Sequence, residues 1–303
     1  MALQMGVNTQ NLQTEGRNPN TMEMDTLSVE ELAQVLHNEN FLVAEAVQQA
    51  LPQIAKAIEI ITDRLQQGGR LFYIGAGTSG RIGVLDASEC PPTFGVGPEL
   101  IQGIIAGGDT ALRNSIEGAE DDPEQGVKDL RERNLSSGDV VVGIAASGRT
   151  PYVIGALNAA RDCGAPAIAV VNVSPSEMER SADITIAAVT GPEALTGSTR
   201  LKAGTAQKLV LNLISTGVMV RLGKTYGNLM VNVRASNEKL KDRAIRIVIA
   251  ATGTERSQAA QALEGTDWHA KSAIVQLKLG VSPEEAASRL GKAQGYVRRA
   301  IEE

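Results

Sequence analysis

Five short runs of β-branched and aliphatic residues, at 71–74, 101–106, 140–145, 167–173 and 184–188, alternate along this chain with segments of helical period. The helical stretches between and after them are expected at about 80–89, 111–119, 123–133, 151–162 and 176–181, with a longer one over about 201–222. Strands spaced by helices cannot pair as hairpins. They must return through crossovers, which makes the strands parallel and puts helices on both sheet faces. The expected fold is therefore α/β, a parallel sheet sandwiched by helices.

Both ends of the chain lack strand signals. Residues 1 to about 25 are polar and without period, and read as an arm. Ser28 and Glu31 then form a capping box ahead of Leu32, Val35 and Leu36 at helical spacing. A second helix is expected over 43–67, stopped by Gly68-Gly69. From about 235 onward only short helices are expected, for example one with Ser282 as N-cap and Pro283 as its first residue. The division is thus 1–60 for arm and N-terminal helices, 61–234 for the α/β domain, and 235–303 for a small helical C-terminal unit.

Composition removes several classes of function. The formal charge of −6 and the pI near 5.2 argue against nucleic acid, whose phosphates require a basic face. One Trp, four Tyr and three Phe offer few platforms for stacked bases. Cys90 and Cys163 cannot build a disulfide framework or a four-thiolate zinc site. His37 and His269 are too far apart in sequence to suggest a metal pair. The most apolar stretch, 209–220, is 12 residues long and contains Asn212, Ser215 and Thr216, whereas a membrane span needs about 20 apolar residues. The first residues carry neither a basic nor an apolar export region. A cytoplasmic protein, with no membrane partner, is expected.

In an open parallel sheet, ligands bind beyond the carboxyl ends of the strands. Three segments there are rich in Gly, Ser and Thr. Gly75-Ala76-Gly77-Thr78-Ser79-Gly80-Arg81 follows the first strand, and Ala145-Ala146-Ser147-Gly148-Arg149-Thr150-Pro151 follows the third. The third segment, from Gly191 through Glu193, Gly197, Ser198 and Thr199 to Arg200, leads into the long helix. Strand-to-helix turns aim unpaired N–H groups and a helix N-terminus at one place, which suits a phosphate. Hydroxyls at Ser79, Ser147, Thr150, Ser198 and Thr199 add small donors. Any one of these loops could be an ordinary capped turn, but three at corresponding ends of one sheet point to an anion seat.

The first loop also matches G-x-G-x-x-G. A dinucleotide site needs an acidic residue about 20 positions later, at the end of the next strand. Here that strand begins only near Ile101, and the acid beyond it is Asp109. A sugar phosphate therefore fits better than NAD. Two acidic spots, Asp86-Ala87-Ser88-Glu89-Cys90-Pro91-Pro92 and Glu117-Gly118-Ala119-Glu120-Asp121-Asp122, lie after helices adjoining these loops. Glu89 reads as the end of a short helix stopped by Pro91-Pro92. Each spot could simply be a solvated helix end. That is the commoner case, and acid–base chemistry beside a phosphate is the functional reading set against it. The segment Thr14-Glu15-Gly16-Arg17-Asn18-Pro19 suggests no mechanism of its own.

The runs GAGTSGRIGVLDASECPPTFG, EGAEDD, AASGRTPYVIGAL and GPEALTGSTRLKAGTAQKLVLNLIST closely resemble the N-acetylmuramic acid 6-phosphate etherase family. The core resembles the SIS, or sugar isomerase, domain, a flavodoxin-like fold. The resemblance extends from TEGRNP through the helical tail. It implies cleavage of the D-lactyl ether of N-acetylmuramic acid 6-phosphate to N-acetylglucosamine 6-phosphate and D-lactate, in cell-wall sugar recycling. Lactate would leave by elimination and water would then add, without a cofactor. By motif, Glu89 would be the proton donor to the leaving oxygen and Glu120 the C2 base. Gly77, Thr78, Ser79, Ser147, Gly148, Thr150, Glu193, Ser198 and Thr199 would hold the substrate. The resemblance also implies a homodimer. Two other readings on this fold stay open: a sugar-phosphate-sensing regulatory protein and a sugar-phosphate isomerase.

Overall fold

The computed structural model describes residues 13–302 apart from 234 and 236. The chain enters through three single 3-10 turns and two helices, α1 (Val29–Glu39) and α2 (Phe41–Gln66). The capping box of α1 forms as the sequence indicates: Ser28 Oγ accepts from the Glu31 N–H at 3.3 Å, and the Glu31 carboxylate accepts from the Ser28 N–H at 2.9 Å. Then come β1 (Leu71–Gly75), α3 (Gly77–Phe94), β2 (Ile101–Ile105), α4 (Thr110–Arg113), α5 (Pro123–Glu132), β3 (Val140–Ala145), α6 (Pro151–Asp162), β4 (Ala167–Val171), β5 (Ile184–Ala187) and α7 (Lys202–Arg221). Five helices close the chain: α8 (Glu238–Thr252), α9 (Arg256–Gly265), α10 (Ala270–Leu279), α11 (Pro283–Lys292) and α12 (Val297–Glu302).

All five strands are parallel, in the order β2-β1-β3-β4-β5. Every residue of β1, β3 and β4 is buried, which is why these runs are continuously apolar rather than alternating. One face carries Phe72, Ile74, Val141 and Ala169 against Tyr152, Val153, Ala156 and Leu157 of α6 and Leu130 of α5. On the other face a Cβ placed at Gly83 of α3 would lie 3.1 Å from Tyr73 and 3.2 Å from Ile144, so α3 covers that side. The sheet is thus covered on both faces, as expected for an SIS-type fold.

The chain clusters into two compact units, Met1–Ser88 with Glu99–Ile214, and Glu89–Pro98 with Ser215–Glu303. The N-terminal helices cluster with the sheet's own unit, and the second unit takes in residues 89–98 and the last part of α7 together with the helices that follow it. That second unit has its own core, including Ala244, Val248, Leu263, Ile274, Val275 and Leu290. Its α11 starts as expected, with Ser282 Oγ accepting from the Glu285 N–H at 3.2 Å and Pro283 at the first position. Among the described residues, no helix is long and apolar enough to cross a membrane.

Three local expectations change. Pro91 and Pro92 do not stop α3, which continues to Phe94. The Gly95 N–H donates to the Pro91 carbonyl at 2.9 Å, and Gly95, at φ +64°, makes the stop. Glu89 is consequently an exposed residue in the body of α3 rather than at its end. The helix expected over 111–119 shortens to the single turn of α4, because Arg81 takes the Leu112 carbonyl (Nε, 3.1 Å) and the Asn114 carbonyl (Nη2, 3.4 Å) that a longer helix would use itself. The helix expected at 176–181 is a 3-10 helix, Glu177–Ser181.

Candidate active site

The strand order reverses at β1: the chain leaves it for β2 on one side and β3 lies on the other. In doubly wound sheets such a switch point opens a crevice at the carboxyl ends of the two central strands. A cleft of about 670 Å³ lies there. Its wall includes Ala76, Gly77, Thr78 and Ser79 after β1, Ser147, Arg149, Thr150 and Pro151 after β3, and Gly197 and Thr199 ahead of α7. The three loops singled out in the sequence meet in one place.

Each of the first two loops ends in a helix N-terminus. Ser79, almost fully buried, stands in the first turn of α3. Thr150 is the N-cap of α6 with Pro151 behind it. The first N–H groups of the helix are taken, that of Tyr152 by the Glu120 carbonyl and those of Val153 and Ile154 by the Thr150 carbonyl, so the loop offers the cleft the hydroxyls of Ser147 and Thr150. Gly148 shapes the second loop. It sits at φ +65°, and a Cβ there would lie 2.4 Å from that of Ser176. Its N–H donates to the Ala145 carbonyl at 3.2 Å, and its carbonyl accepts from Met178 at 2.9 Å.

Glu120 and Asp121 also line the cleft. Main-chain geometry brings them there: the Tyr152 N–H, in the first turn of α6, donates to the Glu120 carbonyl at 3.0 Å. Asp122 caps the next helix, α5, accepting from the N–H groups of Glu124 at 2.9 Å and Gln125 at 3.2 Å. Helices α5 and α6 then pack so closely that a Cβ on Gly126 would lie 2.1 Å from the Tyr152 carbonyl oxygen. The Tyr152 hydroxyl donates to Asp129 at 2.5 Å. Burial, followed by that carboxylate, pushes the Tyr152 phenol far above its ordinary range.

Glu89, Gly148, Glu193 and Ser198 are not in the cleft wall. Glu193 is fully buried, and its two oxygens accept from the Lys202 and Ala203 N–H groups at 2.9 Å each. It caps α7, a structural task that loop composition could not separate from ligand binding. Conversely, Glu15, Arg149 and Glu177 line the cleft without having been singled out. Arg149 stands inside a flagged loop, a signal that was available. Glu15 arrives through long-range contacts: Asn18 Nδ2 donates to the Pro192 carbonyl at 3.3 Å and Thr21 Oγ1 to the Ala194 carbonyl at 2.7 Å. These pin the arm to the third loop, and Glu15 Oε2 lies 3.0 Å from where a Gly197 Cβ would be.

The remaining candidates have local partners. His37 stacks edge-on with Phe41, ring centroids 5.1 Å apart. His269 Nδ1 lies 2.7 Å from Ser272 Oγ, and burial, with Lys271 nearby, holds its pKa below the ordinary value. Cys90 is buried and Cys163 exposed.

The family model described as the glucokinase regulatory protein N-terminal SIS domain matches residues 53–161, and the SIS domain model matches 124–217. Over nearly the whole chain, the sequence is similar to N-acetylmuramic acid 6-phosphate etherases. Identity is 53% to that of Clostridium beijerinckii, covering 98% of each chain. It is 55% to that of Mycolicibacterium smegmatis, covering 96% of this chain and 97% of the relative. It is 56% to that of Pectobacterium atrosepticum, covering 97% of each.

Proposed function

The chain belongs to the N-acetylmuramic acid 6-phosphate etherase family, and from that premise we propose how its residues divide the reaction. The activity is that of a lyase: it releases D-lactate from C3 of N-acetylmuramic acid 6-phosphate and leaves N-acetylglucosamine 6-phosphate. The phosphate sits at the N-termini of α3 and α6, on the hydroxyls of Ser79, Ser147 and Thr150. In the ring-opened sugar, Glu120 removes the C2 proton beside the C1 aldehyde. The C3–O bond breaks, and Glu89 gives a proton to the departing lactate oxygen. Water then adds its oxygen to C3 of the unsaturated aldehyde, and C2 regains a proton. Without these transfers an alkoxide would have to leave and a carbon acid to ionise unaided; each is worth about 10²–10⁴-fold.

The observation that carries this reading is the convergence of Glu120 with two helix N-termini and their hydroxyls in one cleft at the sheet's switch point. For Glu89, support comes from its motif and its exposed position on α3. The regulatory and isomerase alternatives have less behind them. The regulator's domain model matches 53–161 alone, whereas the etherases align from end to end. Incubation with N-acetylmuramic acid 6-phosphate in deuterated water tests the chemistry: free D-lactate and deuterium at C2 of the product are expected. A folded sample giving neither would end the proposal.

The working form is a homodimer in the cytoplasm. Leu85 and Leu213, 52% and 40% exposed, are apolar side chains that a second copy could cover. Light scattering at micromolar concentration and cell fractionation check the two statements.

A further inference from the structure

The substrate of the proposed reaction carries two anionic groups, the 6-phosphate and the carboxylate of the lactyl ether, and the phosphate loops account for only one. The cleft is otherwise unfriendly to a carboxylate, because Glu15, Glu120, Asp121 and Glu177 all line it. Four basic residues lie in or beside the three loops. Lys202 is buried against Glu39 at 2.5 Å. Arg81 donates to the Leu112 and Asn114 carbonyls. Arg200 is exposed and outside the cleft wall. Arg149 is the exception: it lines the cleft, is half-buried, and has no hydrogen-bond or ion-pair partner among the described residues.

We infer that Arg149 receives the lactyl carboxylate and so distinguishes the muramic acid ether from the same sugar phosphate without it. This rests on the etherase reading above. A guanidinium presents parallel N–H donors that match a carboxylate bidentately. A half-buried cation kept without a protein partner is also poorly satisfied until a ligand arrives. The main chain of the loop, with Ser147 and Thr150, already suits the phosphate, while the long Arg149 side chain can reach beyond the loop to a second group. Sites built around a polar substrate group reject analogues lacking it far better than apolar pockets reject a missing methylene.

The test is a substrate–enzyme cycle. The wild-type chain and Arg149→Gln are compared on N-acetylmuramic acid 6-phosphate, on its lactyl amide, and with N-acetylglucosamine 6-phosphate as inhibitor. For the wild type, the amide should lower kcat/KM by about 10- to 100-fold. In Arg149→Gln that discrimination should largely disappear, with inhibition by N-acetylglucosamine 6-phosphate nearly unchanged and Arg149→Lys recovering part of it. Circular dichroism and binding of the product confirm that the variant is folded. Equal losses for the muramic acid ether and N-acetylglucosamine 6-phosphate would assign Arg149 to the phosphate and overturn the inference. Full amide discrimination persisting in Arg149→Gln would also overturn it. If the wild type ignores all three ligands, the etherase reading falls and takes this inference with it.

Discussion

Glu39 and Lys202, 163 positions apart in sequence, form an ion pair of 2.5 Å with side chains 4% and 2% exposed. Asn18 donates to the same carboxylate at 2.6 Å and Asn20 at 3.0 Å. Lys202 opens α7, whose first N–H groups are capped by Glu193. One buried cluster therefore ties α1, the N-terminal arm and the third cleft loop together. Removing the acid leaves an ammonium in the core, and breaking a buried pair in this way costs about 3–5 kcal/mol. Glu39→Ala should lose that much stability in urea denaturation. A loss below about 1 kcal/mol would mean that the pair is effectively solvated.

A second prediction concerns acid. Burial pushes the Glu39 carboxyl up, but hydrogen bonds from Lys202, Asn20 and Asn18 outweigh burial and hold it below the usual range. At Asp139 burial again raises, and Arg70 together with Ser136 more than compensates; Arg70 Nη2 lies 2.8 Å away. Both carboxyls are thus harder to protonate folded than unfolded. Their stabilisation is fully present above the unfolded values of about 4 and is lost as pH falls through the lower folded values. Urea midpoints should hold from neutral pH down to about 5 and drop below about 4. Asp139→Asn should flatten that drop while lowering stability at pH 7. An unchanged acid limb would assign it to other carboxylates.

For the chemistry, Glu120→Ala and Glu89→Ala should each lower turnover by at least about 10², with far-ultraviolet circular dichroism unchanged. Glu120 has a main-chain anchor to Tyr152 that truncation of its side chain leaves intact, so its loss should report on proton transfer rather than on the loop. Near-normal turnover in either variant would mean that another group carries that proton.

The sheet was readable because β1, β3 and β4 are buried on both faces and so appear as unbroken apolar runs with helical segments between them. The two central cleft loops were readable because Gly, Ser and Thr cluster directly behind those runs. What was hidden depended on distant contacts. The end of the helix expected to reach 119 depends on Arg81, 31 and 33 positions away from the carbonyls it takes. Glu193 has the composition of a ligand residue, but its carboxylate is consumed by N–H groups nine and ten positions later. Glu15 reaches the cleft only because Asn18 and Thr21 dock on Pro192 and Ala194, more than 170 positions on. Pro91 and Pro92 deprive α3 of two N–H donors, yet its last turn still closes through the Gly95 N–H on the Pro91 carbonyl, a bond the proline signal alone does not reveal.

Glu193 and Ser147 should separate in a paired measurement. Glu193→Ala leaves two buried N–H groups at the start of α7 unpaired, at about 1–3 kcal/mol for such groups, and should appear chiefly as lost stability. Ser147→Ala removes one hydroxyl from the cleft wall. It should weaken N-acetylglucosamine 6-phosphate more than unphosphorylated N-acetylglucosamine, with the melting temperature almost unchanged. Equal losses for both sugars in Ser147→Ala would take that hydroxyl away from the phosphate.

Gly148 offers the sharpest probe of the proposed anion seat. Its φ of +65° disfavours any side chain, and an added methyl would meet the Ser176 Cβ at 2.4 Å. The backbone cannot relax freely there, because its N–H and carbonyl are bonded to Ala145 and Met178. Gly148→Ala should therefore cost about 1–3 kcal/mol from steric strain. It should also move the main chain between Ser147 and Thr150 that is proposed to meet the phosphate. Calorimetric titration with N-acetylglucosamine 6-phosphate should show binding weakened by at least about tenfold, since losing 1.4 kcal/mol of contact is enough for that. Gly191→Ala is the control: that glycine also has positive φ, at +68°, but a Cβ there meets nothing within 4 Å. It should lose some stability and keep its affinity. If both variants lose affinity alike, backbone strain anywhere near the cleft would explain the effect, and the loop after β3 would have no special claim on the anion.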